Sequence, residues 1–260
     1  MGKVHSADGT SIAFERTGTG PALILVDAAA CFRGFGPMGA LAALLASQFT
    51  VFTYDRRGRG ESGDTVPYAV DREVDDLQAL IGAAGGSAMV YGFSSGAILG
   101  LHAAARGLAI PRLALLEPPF EVDRPGAPPD LAAELSGLVA ADRRGDAVER
   151  FQTAIGVPAE MIAGMRQSPS WPALEALAHT LVYDLTITAS LSAARLSTIT
   201  TVTLVIDSEA SDAGLRSSAQ KVCDALPNGR RRSLKGQWHG VSAEDLAPAL
   251  AEFFIARDPK

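Results

Sequence analysis

The sequence predicts an α/β fold, with a mostly parallel central sheet flanked by helices and a helical cap inserted late in the chain. Three observations carry this. Short apolar runs such as LILV, MVY, LALL and TLVI recur, nearly continuous in hydrophobic residues as strands buried on both faces must be. Most are followed by an Ala/Leu-rich stretch with helical spacing, the alternation of a parallel sheet with crossover helices. The alternation breaks once, between Phe120 and Leu196, where helical patterns continue without a strand.

Taken in order, strands are expected at Ser11 to Glu15, Ala22 to Val26, Thr50 to Tyr54, Ala88 to Tyr91, Arg112 to Leu116, Val202 to Ile206 and Arg231 to Leu234. Helices are expected near Gly39 to Ser47, Val70 to Gly82, Ser95 to Arg106, Gly214 to Ala225 and Ala243 to Ile255. Residues 1–119 and 197–260 form the expected core, and residues 120–196 the expected cap. RPGAPP at Arg124 to Pro129 reads as the linker into the cap, because its prolines and glycine cannot continue a helix. Within the cap, Phe151, Met161, Met165, Trp171, Leu181 and Tyr183 supply an apolar set, most of it cap core and the rest pocket wall.

Composition excludes several functions. With 23 Lys and Arg against 29 Asp and Glu the net charge is −6, which disfavours nucleic acid as a partner. The two cysteines, Cys31 and Cys223, have no metal-like spacing and suggest neither a disulfide framework nor a zinc site. No apolar stretch has the length or flanks of a signal peptide or membrane span, so a cytoplasmic protein with no membrane partner is expected. A homo-oligomer is compatible with the sequence.

The chemistry concentrates at VYGFSSGAILG, Val90 to Gly100, where two serines stand between glycines at the junction of a buried strand and an apolar helix. Gly92, Ser94 and Gly96 spell G-x-S-x-G in the strand, turn and helix context that mounts a nucleophile on a sharp bend. Ser95 would offer its backbone N–H at the helix N-terminus, where the dipole favours an oxyanion. Serine needs an imidazole as base. Of four histidines, His239 follows the last strand and precedes the last helix, whereas His102 reads as packing and His179 as a pocket or packing residue of the cap.

These segments resemble the α/β-hydrolase family over nearly the whole chain. YDRRGRGES at Tyr54 to Ser62 is similar to the family's D-x-R-G-x-G-x-S turn, GFSSG to its nucleophile elbow, and QWHGV at Gln237 to Val241 to its late histidine loop. The resemblance implies Ser94 as nucleophile and His239 as base. Two carboxylates compete for the third role. The usual family position follows VTLVI, where DSEASD offers Asp212 one residue late, with Asp207 and Glu209 behind it. Alternatively Glu117 ends the apolar strand LALL, a position where some members, including haloalkane dehalogenases, carry a glutamate. Where most members have His-Gly after LILV, this chain has Asp27 and Ala28; the second oxyanion donor would then be Ala29 N–H. Asp27 is expected to be neutralised by Arg33 or to orient a water. Asp55, Arg56 and Arg57 read as residues that tie down a sharp loop.

The implied activity is a serine hydrolase cleaving a small, largely apolar carboxylic ester or lactone through an acyl-enzyme, with a small-molecule substrate and neither cofactor nor metal. Perhydrolase, lyase or acyltransferase chemistry on the same three residues stays open. So does a non-catalytic binding protein on this fold.

Overall fold

A computed structural model describes residues 1–120 and 131–256. The linker expected at 124–129 lies outside the described residues. Eight strands form one sheet: β1 (Gly2–His5), β2 (Ser11–Thr17), β3 (Ala22–Val26), β4 (Thr50–Tyr54), β5 (Met89–Phe93), β6 (Arg112–Leu116), β7 (Val202–Ser208) and β8 (Gly229–Leu234). Their spatial order is β1-β2-β4-β3-β5-β6-β7-β8. The pairs β1/β2 and β2/β4 are antiparallel, and every pair from β4 to β8 is parallel.

Strand periodicity sorts the core into two layers. Ile24, Val26, Val90, Leu113, Leu115 and Val205 point to the side covered by α2 (Val70–Ala83), α3 (Ser95–Ala105) and α10 (Ala213–Ala225). Their neighbours Leu23, Leu25, Tyr91, Ala114, Leu116 and Ile206 pack under α1 (Met38–Leu45) and α11 (Ala243–Ile255). Both faces are therefore dry, which is why these strands read as unbroken apolar runs.

The edges look different in sequence for a physical reason. Strand β8 carries GRRRSL, and its Arg231 grips the buried Asp207 of β7 with two bonds of 2.9 Å. Charge on an edge strand also discourages pairing with a further chain. At the other edge β1 lies in the polar start of the chain, with only partial burial, and the apolar-run criterion passes over it.

Between β6 and β7 the described residues hold α4 (Leu131–Ala140), α5 (Arg144–Ala154), α6 (Ala159–Arg166), α7 (Trp171–Ala176), α8 (Thr180–Ala189) and α9 (Ala193–Leu196). These helices pack around Leu135, Val148, Phe151, Trp171, Leu174 and Leu181, in a cluster that also takes in Ala30 of the loop after β3. Helix α8 lies on α3, where the buried His102 meets Ile187 O at 3.3 Å and Ser190 Oγ at 3.0 Å. None of the described helices is long and apolar enough to cross a membrane.

Candidate active site

In a parallel sheet the C-terminal strand ends share one edge, and polar groups just past them converge there. Ser94 follows β5, Glu117 follows β6, Ser208 ends β7, and Asp27 follows β3. The turn from β5 into α3 is so tight that Ser94 has φ 53° and ψ −121°. Both glycines of G-x-S-x-G are required by contact. A Cβ on Gly92 would lie 2.5 Å from Gly96 O, and one on Gly96 would lie 2.5 Å from Val26 O and Asp27 O.

Ser94 Oγ lies 3.0 Å from His239 Nε2, and His239 Nδ1 lies 2.8 Å from Glu117 Oε2. A carboxylate can only accept, so the shared proton sits on Nδ1 and leaves Nε2 as the acceptor for the serine hydroxyl. Glu117 is fully buried, and its other oxygen accepts Ser208 N–H at 2.9 Å. The histidine loop is pinned as well: Ser211 Oγ accepts His239 N–H at 2.9 Å, and Ser208 Oγ donates to Gln237 O at 2.7 Å. Among the described residues the non-glycine positions with positive φ are Ala30, Ser94, Glu117, Asp142 and His239. Three of the five, Ser94, Glu117 and His239, are in this cluster, and Ala30 lies in the loop after β3. Such backbone costs about 1–3 kcal/mol per residue and persists only where its surroundings enforce it.

Ser94 and His239 line a cavity of about 390 Å³, with Glu117 buried behind them. Leu131, Phe151, Ile155 and Leu185 of the insertion wall one side, and Leu215 and Trp238 the other. Ala29 and Ser95 line it too, and their backbone N–H groups donate to no acceptor among the described residues.

The remaining expected residues fall elsewhere. Asp212 stands at the rim: it caps α10 through Leu215 N–H at 3.0 Å and accepts Trp238 Nε1–H at 3.2 Å, with no bond to His239. The Leu215 N–H bond leads in holding its carboxyl below the ordinary range. Asp27 is buried behind the oxyanion loop, accepting Ala28 N–H at 2.9 Å. Burial raises its pKa to about 7, against the opposing pull of that bond and of Arg59 and Arg56. The expectation that Arg33 neutralises it fails, because Arg33 is consumed by Asp55 at 3.0 Å, Glu61 at 2.5 Å and Glu15 at 3.1 Å. His179 sits beside Asp64 at 3.6 Å, away from the cavity lining.

Sequence reasoning missed the polar layer beneath the site. Arg56, Arg57 and Arg59 of the turn after β4 are each only 1% exposed. Arg57 grips Asp76 at 2.8 and 2.7 Å, the loop-tying role expected of it. Arg56 reaches Glu73 at 2.5 Å and Asp184 of α8 at 2.8 Å, and Arg59 holds both oxygens of Asp184 at 2.9 and 2.8 Å. Burial acts to raise the Asp184 pKa, but the two guanidiniums and the Ser95 hydroxyl outweigh it and keep the group below its ordinary value. An amphipathic reading of α8 gives no hint of this.

A profile of the Alpha/beta hydrolase family matches residues 18–252. The chain belongs to this family. It is also 51% identical to an alpha/beta hydrolase from Sphaerobacter thermophilus DSM 20745, with a TM-score of 0.91 over 97% of this chain and 100% of that one. Two other solved structures share the fold of this hydrolase at lower identity. One is an enol-lactonase from Burkholderia xenovorans LB400, 21% identical with a TM-score of 0.70 over 97% of this chain and 98% of that one. The other is a thermophilic esterase from Thermogutta terrifontis, 20% identical with a TM-score of 0.72 over 97% and 96%. No curated protein matches the chain. The α/β-hydrolase is thus an enzyme whose sheet edge carries a serine, a histidine and a glutamate in hydrogen-bond sequence.

Proposed function

We propose that this α/β-hydrolase is a serine hydrolase that cleaves neutral, largely apolar carboxylic esters or lactones through an acyl-enzyme. The observation that carries the reading is the unbroken relay from Ser94 through His239, which line the cavity, to the buried Glu117. His239 Nε2 takes the Ser94 proton as Oγ attacks the substrate carbonyl carbon, and Glu117 steadies the imidazolium through Nδ1–H. The carbonyl oxygen becomes an oxyanion between the N–H groups of Ala29 and Ser95. On collapse the ester C–O bond breaks, and the leaving alkoxide takes the proton from His239. Water then attacks the acyl-serine, giving up a proton to the same nitrogen, and a second collapse returns Ser94 and frees the acid. One ester and one water give one acid and one alcohol.

The substrate class follows from the lining. Leu131, Phe151, Ile155, Leu185 and Leu215 favour an apolar acyl or alcohol portion, and among the described residues no lysine or arginine lines the cavity. Among the described lining residues Asp184 has its charge balanced by Arg56 and Arg59, so the carboxylate left to oppose an anionic substrate is Asp212. The esterase and enol-lactonase with the same fold agree with ester or lactone chemistry.

The test is a fluorophosphonate probe together with p-nitrophenyl esters of graded chain length. The wild type is expected to be labelled and to turn over the esters, and Ser94→Ala to do neither. Equal labelling of both proteins, or no turnover by the wild type, would refute the reading.

A further inference from the structure

The proposed reaction uses two donors on separate segments, Ala29 N–H after β3 and Ser95 N–H at the start of α3, and both must aim at one oxygen. A trans peptide is planar, with its N–H antiparallel to the C=O of the preceding residue, so the direction of Ala29 N–H is set by whatever holds Ala28 O. Arg59 Nη1 donates to Ala28 O at 2.7 Å and reaches Cys31 O at 3.4 Å. Its Nη2 is fixed by both Asp184 oxygens. The same carboxylate holds the second segment: Asp184 Oδ1 accepts Ser95 Oγ–H at 2.7 Å and Arg56 Nη1–H at 2.8 Å. Arg56 Nη1 also donates to Ser95 Oγ at 3.1 Å and Asp27 O at 3.3 Å. Between the two held peptides, Ala30 takes a left-handed φ of 57°, which a free loop would relax.

We propose that Arg59 is a positioning residue for hydrolysis: bolted to Asp184 of the insertion, it fixes the Ala28–Ala29 peptide plane so that Ala29 N–H meets the developing oxyanion. The proposal rests on the serine-hydrolase reading above. The guanidinium touches no substrate. It acts through the peptide, whose dipole it also aligns by binding the carbonyl end. Because the oxyanion exists only after attack, the loss on removing Arg59 falls on the chemical step and leaves ground-state binding nearly intact.

The experiment is Arg59→Met, with folded active sites counted by fluorophosphonate labelling run to completion. Removing an oxyanion donor costs on the order of 10²–10³ in kcat, and a donor merely swung out of line about 10¹–10². We expect kcat per labelled site to fall at least about tenfold on p-nitrophenyl butyrate while KM stays within about threefold. Inhibition by a trifluoromethyl ketone, which mimics the tetrahedral species, should weaken by the same factor as kcat/KM, and inhibition by the matching methyl ketone should not. A purely structural role predicts fewer labelled sites with unchanged kcat per site, and that result overturns the proposal. Should Arg59→Met not fold, Arg59→Lys replaces it. Lysine lacks the planar fork by which Arg59 holds Ala28 O with one nitrogen and both Asp184 oxygens with the other, so a tenfold fall per site is again expected, and retention of kcat overturns the proposal. An unlabelled, inactive wild type would instead overturn the serine-hydrolase reading and this proposal together.

Discussion

Replacing Glu117 by glutamine tests the relay at its most informative bond. The two side chains are nearly isosteric, and the amide oxygen of the replacement can keep the 2.9 Å bond from Ser208 N–H. The amide NH₂ then takes the place of Oε2, 2.8 Å from His239 Nδ1, and a donor now faces that nitrogen. The imidazole must shift its proton to Nε2, which puts N–H where the Ser94 hydroxyl needs an acceptor. A wrong tautomer in an otherwise intact triad lowers kcat on the order of 10⁴-fold, about 5.5 kcal/mol of transition-state stabilisation. The assay is kcat/KM on a p-nitrophenyl ester, with Asp212→Asn as the control. Asn is as good a helix cap as Asp, and Asp212 makes no bond to His239, so the control should keep activity within about threefold. Activity of Glu117→Gln within tenfold of the wild type, or an equal loss in Asp212→Asn, would refute the assignment.

Two further outcomes follow from the site. Asp27, with its pKa raised from 3.8 to about 7, keeps its proton in the folded state while the unfolded state releases it, so stability is lost as pH rises through this window. Asp27→Asn removes that loss, and its advantage over the wild type in urea denaturation should grow by about 3 kcal/mol between pH 5 and pH 8; an advantage independent of pH would show that the carboxyl is ionised throughout. Phe151 is shared by the cavity wall and the core of the insertion, so Phe151→Ala should cost about 3–5 kcal/mol of stability. It should also shift chain-length preference toward longer acyl groups, by about fourfold in kcat/KM for each added methylene the space accepts.

What the sequence made legible divides along the range of the interactions. Ser94 and His239 announce themselves locally, through the glycines that the elbow needs and the loop between the last strand and helix. Glu117 was visible as a carboxylate closing an apolar strand. The choice between it and Asp212 was not, because it depends on which of two loops comes within 3 Å of an imidazole, and no local pattern records that. The inner strands were readable since each is buried on both faces, while β1 carries the weak pattern of a half-exposed edge. The error at Arg33 has the same origin. Proximity in sequence suggested Asp27, but the fold sets Asp55, Glu61 and Glu15 around that guanidinium. Arg59 and Asp184 stand 125 residues apart, and their pairing exists only once α8 has docked.

That docking bears on how the enzyme can be re-engineered. Asp184 belongs to the insertion, yet two guanidiniums of the sheet domain rely on it for charge balance at almost complete burial. A chimera that borrows the corresponding helices from a relative without an acid at this place would strand Arg59 and leave Arg56 with Glu73 alone, a loss of about 3–5 kcal/mol for the broken Arg59 pair. Exchange of specificity modules on this scaffold is therefore constrained at a single side chain, and libraries that vary the helices should hold position 184 constant.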